Sequence, residues 1–284
     1  MISMRRAVPA DKEAVTEVCL AVEPKDYVPE LFDENVKLDP PSGIYVVELD
    51  GRVVGCHALD SFQPGTAFLY AMRVHPALQG QGIGRAYAGL QVEDAVRQGI
   101  RNLFLSSAPH NIRAHKTVER NGFVNRGPWF IYEAVPAPTV ELPAGRARQA
   151  RPEDAPLIAA FRERLAGEVM SEVVPAPDYP YGFCLMEDSD WNCDDVVVVE
   201  REGALEGAMM LRQSAWEGAL YIRRLEGTPE AAAELLGFAA AWGRERGMTK
   251  WMMSLPTRCE HLLAPLGLDS EAAERWYIFH YRAE

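Results

Sequence analysis

The chain has 284 residues, of which 48% are hydrophobic and 25% charged, and a formal net charge of −12. That is the composition of a globular chain long enough for two ordinary domains, with no apolar run approaching the ~20 residues that span a bilayer. Residues 1–140 hold 14 Lys and Arg against 16 Asp and Glu, whereas residues 141–284 hold 15 against 25; such a surface repels phosphate backbones and anionic lipid and attracts cationic amines, although solubility alone accounts for it equally well.

Neither a nucleic-acid nor a membrane partner is expected. Met1 to Ala10 has Arg5 and Arg6 but no apolar stretch behind them, so it does not read as a secretory signal, and a cytoplasmic location is expected. Cys19, Cys56, Cys184, Cys193 and Cys259 are odd in number and lack CxxC spacing, which argues against a disulfide framework and against a metal site.

In chain order, Pro9 to Val22 predicts an amphipathic helix. The segment Leu20 to Pro40 follows, with Glu23, Asp26, Glu30, Asp33, Glu34 and Asp39 against Lys25 and Lys37. It is read as a solvated acidic face, with a grip on a cationic acceptor as the alternative. Asp50-Gly51 predicts a hairpin turn between two strands. Phe68 to Val74 predicts a strand, and Pro76-Ala-Leu-Gln-Gly-Gln-Gly-Ile-Gly-Arg85 a glycine-rich loop. A helix from Ile83 to Gln98 is expected to bury Ile83, Ala86, Tyr87 and Leu90, and Leu103 to Ser107 to form the next strand. Strand, loop, helix and strand imply a right-handed crossover, hence a mixed sheet with packed helices and an α/β or α+β fold.

Pro136, Pro138, Pro143 and Gly145 mark an interdomain linker, giving domains 1–135 and 148–284 joined by 136–147. The second half echoes the first. Arg6-Ala-Val-Pro-Ala-Asp11 recurs as Gln149-Ala-Arg-Pro-Glu-Asp154, and Val46 to Gly55 recurs as Val198 to Gly207. Ala67 to Tyr70 matches Gly218 to Tyr221, Arg120 to Phe123 answers Pro265 to Leu268, and Trp129 to Tyr132 answers Trp276 to Phe279. A tandem duplication is the simplest account.

The glycine loop lies between a strand and a helix, where unpaired amides and the positive end of the helix dipole form a site for a pyrophosphate, with Arg85 as a nearby cation. A Gly-Lys-Ser/Thr ending is absent, and Gly80, Gly82 and Gly84 alternate rather than follow GxGxxG, so neither nucleotide motif fits.

Gln79-Gly-Gln-Gly-Ile-Gly84 resembles the Q/R-x-x-G-x-G/A signature of the GNAT superfamily of acetyl-CoA-dependent N-acyltransferases. Asn111, Ala114, Gly122 and Phe123 match the spacing of that family's second motif. The resemblance covers residues 3 to about 135. Together with the internal repeat, on which residues 146–284 depend, it implies two GNAT-like domains, each with a mixed, mostly antiparallel sheet flanked by helices, and transfer of an acetyl group to a small-molecule or peptide amine in a ternary complex. It assigns the acetyl-CoA pyrophosphate to Gln79, Gly80, Gln81, Gly82, Ile83, Gly84 and Arg85, and the pantetheine arm to Met72, Arg73 and Val74. Asn111 and Lys116 complete the cofactor set. A backbone amide near Ala71 or Met72 would donate to the thioester carbonyl and to the oxyanion that forms on it.

The family's usual Glu on the strand entering the loop is missing from Thr66 to Ala71, and its usual Tyr is replaced by Val118. Tyr70 and His110 are the substitute proton-handling residues, with His57 and Asp60 behind them; alignment of the amine against the thioester supplies much of the acceleration without either. In the second half, Thr228 as N-cap, Pro229 in the first turn and Glu230 close the equivalent helix against a pyrophosphate. Ala232, Leu235, Leu236, Ala239 and Trp242 read as its core face. Tyr179, Tyr181, Phe183 and Trp191 are expected either to wall an acceptor cleft or to pack locally. Two other functions stay open: a non-catalytic CoA-sensing module, and a tandem transferase resembling mycothiol synthase.

Overall fold

Asp50 and Gly51 have φ of 52° and 80°, the two positive values of a type I′ turn, which suits the twist of the strands it joins. Those strands are β2 (Gly43–Leu49) and β3 (Arg52–Gln63). Their side chains alternate between two helix-covered faces. The computed structural model describes residues 1–139, 141–165, 173–176, 179–185, 191, 194–214, 218–267 and 273–283. Cys193 and Leu268 lie outside these, as does the side chain of Tyr179.

Contacts divide the chain into two units that are not consecutive in sequence: Met1–Asn125 with Ile278–Glu284, and Arg126–Tyr277. In the first, β1 (Ile2–Arg6), β2, β3 and β4 (Thr66–Val74) run antiparallel in that order, and β5 (Asn102–Ser107) joins β4 in parallel. The next place after β5 is taken by the end of β14 (Glu274–Arg282). There His280 stacks on Phe104 at 4.3 Å and its Nε2 lies 3.1 Å from Asn102 Oδ1, while the Ala283 amide donates to the Arg101 carbonyl.

Helices α1 (Lys12–Val22) and α2 (Val28–Asn35) cover one face, packing Val15, Cys19, Val28 and Phe32 on Ile44, Val46, Cys56 and Ala58. α3 (Ile83–Arg97) covers the other, where Tyr87 packs with Val47, Val54 and Val74. The buried residues of α3 are Tyr87, Ala88, Gln91 and Ala95, so the expected face is displaced: Ala86 is exposed and Gln91 is inside. The reason is polar. The Tyr87 hydroxyl is hydrogen-bonded to Gln91 and lies 2.6 Å from His57 Nδ1, and that internal set fixes the rotation of the helix. α4 (Ile112–Glu119) follows β5.

The second unit contains β6 (Val124–Pro136) from Arg126 onward, β7 (Arg148–Gln149), α5 (Ala155–Leu165), and the hairpin of β8 (Val173–Ala176) and β9 (Tyr179–Leu185). It continues with β10 (Val196–Arg201), β11 (Ala204–Gln213), β12 (Leu220–Gly227), α6 (Pro229–Glu245) and β13 (Lys250–Pro256). Its sheet order is β6-β13-β12-β11-β10-β7, with β12 and β13 parallel and the other pairs antiparallel. Glu202 and Gly203 repeat the paired positive φ of Asp50 and Gly51. Arg148 clasps Asp154 with bonds of 2.6 and 2.8 Å, as Arg5 clasps Asp11 with 2.7 and 2.9 Å. Each unit is thus a mixed, mostly antiparallel sheet flanked by helices. Among the described residues no helix is long and apolar enough to cross a membrane.

Candidate functional site

β4 and β5 pair over Thr66↔Asn102, Ala67↔Leu103 and Phe68↔Phe104, and no further. Past Phe68 the two strands run on without each other, which leaves the inner edge of Leu69–Val74 open within the sheet. On its other edge β4 carries a bulge: Cys56 faces Arg73 and Ala58 faces Tyr70, so a single residue of β3 stands opposite Ala71 and Met72. Ala71 has φ of +56°, a conformation that costs a residue with a Cβ of the order of 1 kcal/mol or more. The bulge also turns the strand. Tyr70 and Ala71 pack together on the α1/α2 face, and Met72 on the α3 face.

The open edge leads through Pro76–Leu78, one turn of 3-10 helix, into the glycine loop. Gly80 and Gly82 have φ of +79° and +82°, values that glycine adopts without a Cβ clash. Gly82 is the N-cap of α3, and no side chain caps that end. Among the described residues the backbone amides of Gly80, Gln81, Gly82, Ile83 and Gly84 have no hydrogen-bond acceptor. A Cβ added at Gly80, Gly82 or Gly84 would meet nothing within 4 Å. Free amides, the positive end of a helix of 15 residues and open space beside three glycines are what a pyrophosphate requires.

Gln79 holds the loop to the strand, its Nε2 donating to the Val74 carbonyl at 3.1 Å, and Gln81 donates to the Ala77 carbonyl at 3.1 Å. Arg113 Nη1 donates to Gln79 Oε1 at 3.1 Å. This cation was not singled out in the sequence, where Arg113 is one more exposed arginine in the first turn of a helix; only the fold brings it to the loop.

Asn111 is the N-cap of α4, its Oδ1 accepting from the Ala114 amide at 3.3 Å, and Lys116 is exposed on that helix. Arg73 turns its guanidinium to the fully buried carboxylate of Asp26, at 2.5 Å. What Arg73 offers along the open edge of β4 is therefore backbone. His110 is exposed in the turn before Asn111. His57 is in the core, stacked on Tyr45 at 5.0 Å, and burial lowers its pKa to about 3. It is held neutral and away from solvent.

Three of the six acidic residues in the stretch between α1 and β2 lie against a cation. Asp26 takes Arg73, Asp33 takes Lys12 at 2.5 Å, and Glu34 lies 3.5 Å from Lys37.

In the second unit β12 and β13 likewise pair over three residues, Leu220↔Trp251 to Ile222↔Met253, and β12 has a bulge at Arg223. Here the arginines of β12 reach the β8 strand: Arg223 donates to the Pro175 carbonyl at 2.8 and 3.1 Å, and Arg224 to that of Val173 at 3.4 Å. The helix that follows is closed by its own sequence, Thr228 Oγ1 accepting from the Ala231 amide at 3.2 Å. Ala232, Leu235, Leu236 and Ala239 are buried and Trp242 is partly so. Phe183 packs edge-on against Trp129, and Tyr181 donates to Glu133 at 2.7 Å. Arg162 lies 5.8 Å over the buried Trp191 ring.

Residues 12–123 match the model of the acetyltransferase (GNAT) family. A mycothiol acetyltransferase of Streptomyces avermitilis is 29% identical over 93 residues, 32% of this chain and 30% of that protein, so the match spans about a third of the relative's length. Two solved structures share the fold almost from end to end. A GCN5-related N-acetyltransferase from Sphaerobacter thermophilus has a TM-score of 0.56 at 16% identity, covering 99% of this chain and 95% of its own. A putative acetyltransferase from Thermoplasma acidophilum has a TM-score of 0.54 at 16% identity, covering 99% and 100%.

Proposed function

Residues 12–123 belong to the acetyltransferase (GNAT) family, and from that premise we propose that the protein transfers an acetyl group from acetyl-CoA to a primary amine of a small-molecule or peptide acceptor. One observation carries the reading: in the first unit an open strand edge with a bulge leads directly into a helix N-terminus with unpaired amides. A thioester with a pyrophosphate-bearing tail fits such a track.

The amides of Gly80 to Gly84 receive the pyrophosphate, supported by Gln79, Gln81, Arg85 and Arg113. Met72, Arg73 and Val74 offer their backbone to the pantetheine arm, and an amide at the Ala71–Met72 bulge stabilises the oxyanion. Asn111 and Lys116 flank the arm from α4. Tyr70, next to the bulge, and His110 are the side chains assigned to proton transfer. The amine attacks directly with both substrates bound, and orientation against an activated acyl group supplies much of the rate.

The chain is read as a tandem duplication, 1–135 and 148–284 about a 136–147 linker. The second copy keeps the fold and has lost the anion site, because Thr228 and Glu230 close the helix and β8 backs the β12 arginines. The protein is assigned to the cytoplasm, with neither nucleic acid nor membrane as partner. A second reading, acetylation of a cysteine-bearing sugar amine, draws on the likeness to the mycothiol acetyltransferase.

Calorimetric titration of acetyl-CoA into wild type and a Gly82→Glu, Gly84→Glu double variant tests the reading, followed by thiol release over an amine panel that includes a cysteinyl aminosugar. One saturable site that the double variant abolishes, with thiol release on at least one amine, is expected. Absence of binding to the wild type sinks the reading, and binding without turnover on any amine moves it to a CoA-sensing role.

A further inference from the structure

The acceptor side of the bulge contains a carboxylate whose surroundings are unlike those of its neighbours. Along β3 the residues facing α1 and α2 are Cys56 and Ala58, both buried in that core, and the same alternation brings Asp60 to that face. Asp60 stands opposite Phe68 in the ladder, and Tyr70 opposite Ala58. The two are diagonal neighbours, within reach of a long aromatic side chain. The Tyr70 hydroxyl donates to Asn35 Oδ1, at the end of α2, at 3.4 Å, and it lies near enough to the Asp60 carboxylate to draw its pKa down.

Asp60, Tyr70 and Asn35 are all half-buried, so the cluster reaches solvent on the side of the sheet away from α3. It begins one residue before the bulge of β4.

Asp60 differs from the paired acidic residues of the α1–β2 stretch. Asp26, Asp33 and Glu34 each lie against a lysine or arginine, whereas no cation approaches the Asp60 carboxylate within 4 Å among the described residues. The one titratable group facing it from β4 is Tyr70, and neither α1 nor α2 presents it with a charge. A half-buried carboxylate with a hydroxyl beside it and no cation within 4 Å among the described residues is an incomplete ion pair, and a substrate ammonium is its natural complement.

We propose that Asp60 binds the ammonium of the acceptor and removes its proton at the β4 bulge, in place of the direct proton transfer assigned above to Tyr70, which stands beside the carboxylate. This deepens the acetyltransferase reading and rests on it. The ammonium gives one proton to an Asp60 oxygen, and the neutral amine forms a C–N bond to the thioester carbon. When the C–S bond breaks, its electron pair leaves on the CoA sulfur, and the second proton of the nitrogen ends on that sulfur. Asp60 then returns its proton to water. Burial raises the pKa of Asp60 above the ordinary carboxylate range, an effect the nearby Tyr70 hydroxyl only partly offsets, which makes it the stronger base.

The test compares wild type with Asp60→Asn and Asp60→Glu in three measurements: acetyl-CoA affinity, pH dependence of acetyl transfer, and the Asp60 carboxyl titration followed by carbon NMR. The probes are spermidine, benzylamine and an alanyl peptide. Asp60→Asn is expected to bind acetyl-CoA within twofold of wild type, and to melt no lower, because it removes a charge with no partner. Its kcat/KM at neutral pH falls at least 100-fold, the scale of a general base, and the acid limb of the pH profile disappears; Asp60→Glu restores part of the rate. In the free wild type the Asp60 carboxyl titrates above the ordinary range and shifts down on addition of a probe amine. A kcat/KM of Asp60→Asn within threefold of wild type overturns the proposal, and so does a carboxyl unmoved by every probe. Loss of acetyl-CoA binding by the wild type strikes instead at the function on which it rests.

Discussion

Gly82 and Gly84 sit two residues apart and are glycine for different reasons. Gly82 has φ of +82° at the N-cap, where a side chain strains the backbone whatever the space around it. Gly84 lies inside the first turn of α3, has no positive φ, and would place a Cβ in open space. Gly84→Ala should therefore stabilise the helix by about 0.5–1 kcal/mol, since alanine has less backbone freedom to lose. On the proposed function the same methyl group stands where a pyrophosphate would approach the amides. Thermal melting and acetyl-CoA titration are then expected to move in opposite directions, with melting temperature up and affinity down by at least fivefold. Unchanged affinity would move the pyrophosphate away from Gly84. The glycine loop was legible in the sequence because its residue types set its backbone geometry. Arg113 and Asn35 were not, because an exposed arginine and a helix-terminal asparagine carry no mark of what folds against them.

Between elements, the contact of β3 with α3 is a buried polar set, His57 with Tyr87 and Gln91, inside an otherwise apolar layer. It fixes which side of α3 faces the sheet, and periodicity missed it because glutamine counts as polar wherever it stands. The contact also responds to pH. With its folded pKa lowered to about 3 by burial, His57 refuses a proton that the unfolded chain accepts below ~6.5. Stability from this group is whole above ~6.5 and declines by ~1.4 kcal/mol per pH unit as pH falls toward 3, below which both states are protonated. Urea unfolding at a series of pH values should show that loss in the wild type and a shallower slope in His57→Asn. Equal slopes would remove His57 as its source. The strands, hairpin turns and helix starts were read with small shifts at their ends, since each is specified by a few adjacent residues.

At the scale of the molecule, the unit that contains the glycine loop is completed by Ile278–Glu284. Ile278, Phe279 and His280 are almost wholly buried there, and Phe279 lies 5.0 Å from His115 on α4. Deleting residues 274–284 should therefore cost several kcal/mol of buried apolar side chain, and protection of residues 100–120 from proteolysis should be lost. Retention of that protection would show that the first unit stands without its last strand. Nothing in the sequence distinguishes β6 from a strand that stays with its own unit. Alternation and turn residues specify that a strand forms and which face is apolar, whereas its neighbour in the sheet is chosen by the sum of long-range contacts.

The placement of β14 also has a bearing on time. A chain leaves the ribosome N-terminus first at ~5–20 residues per second, and domains made early ordinarily fold early. Here the glycine loop and its helix are synthesised before residue 100, but the strand that follows β5 in their sheet does not begin until Glu274. Chains terminated before Glu274 would carry the whole glycine loop and still lack the strand beside β5, so the interleaving makes a finished first unit depend on translation past β14.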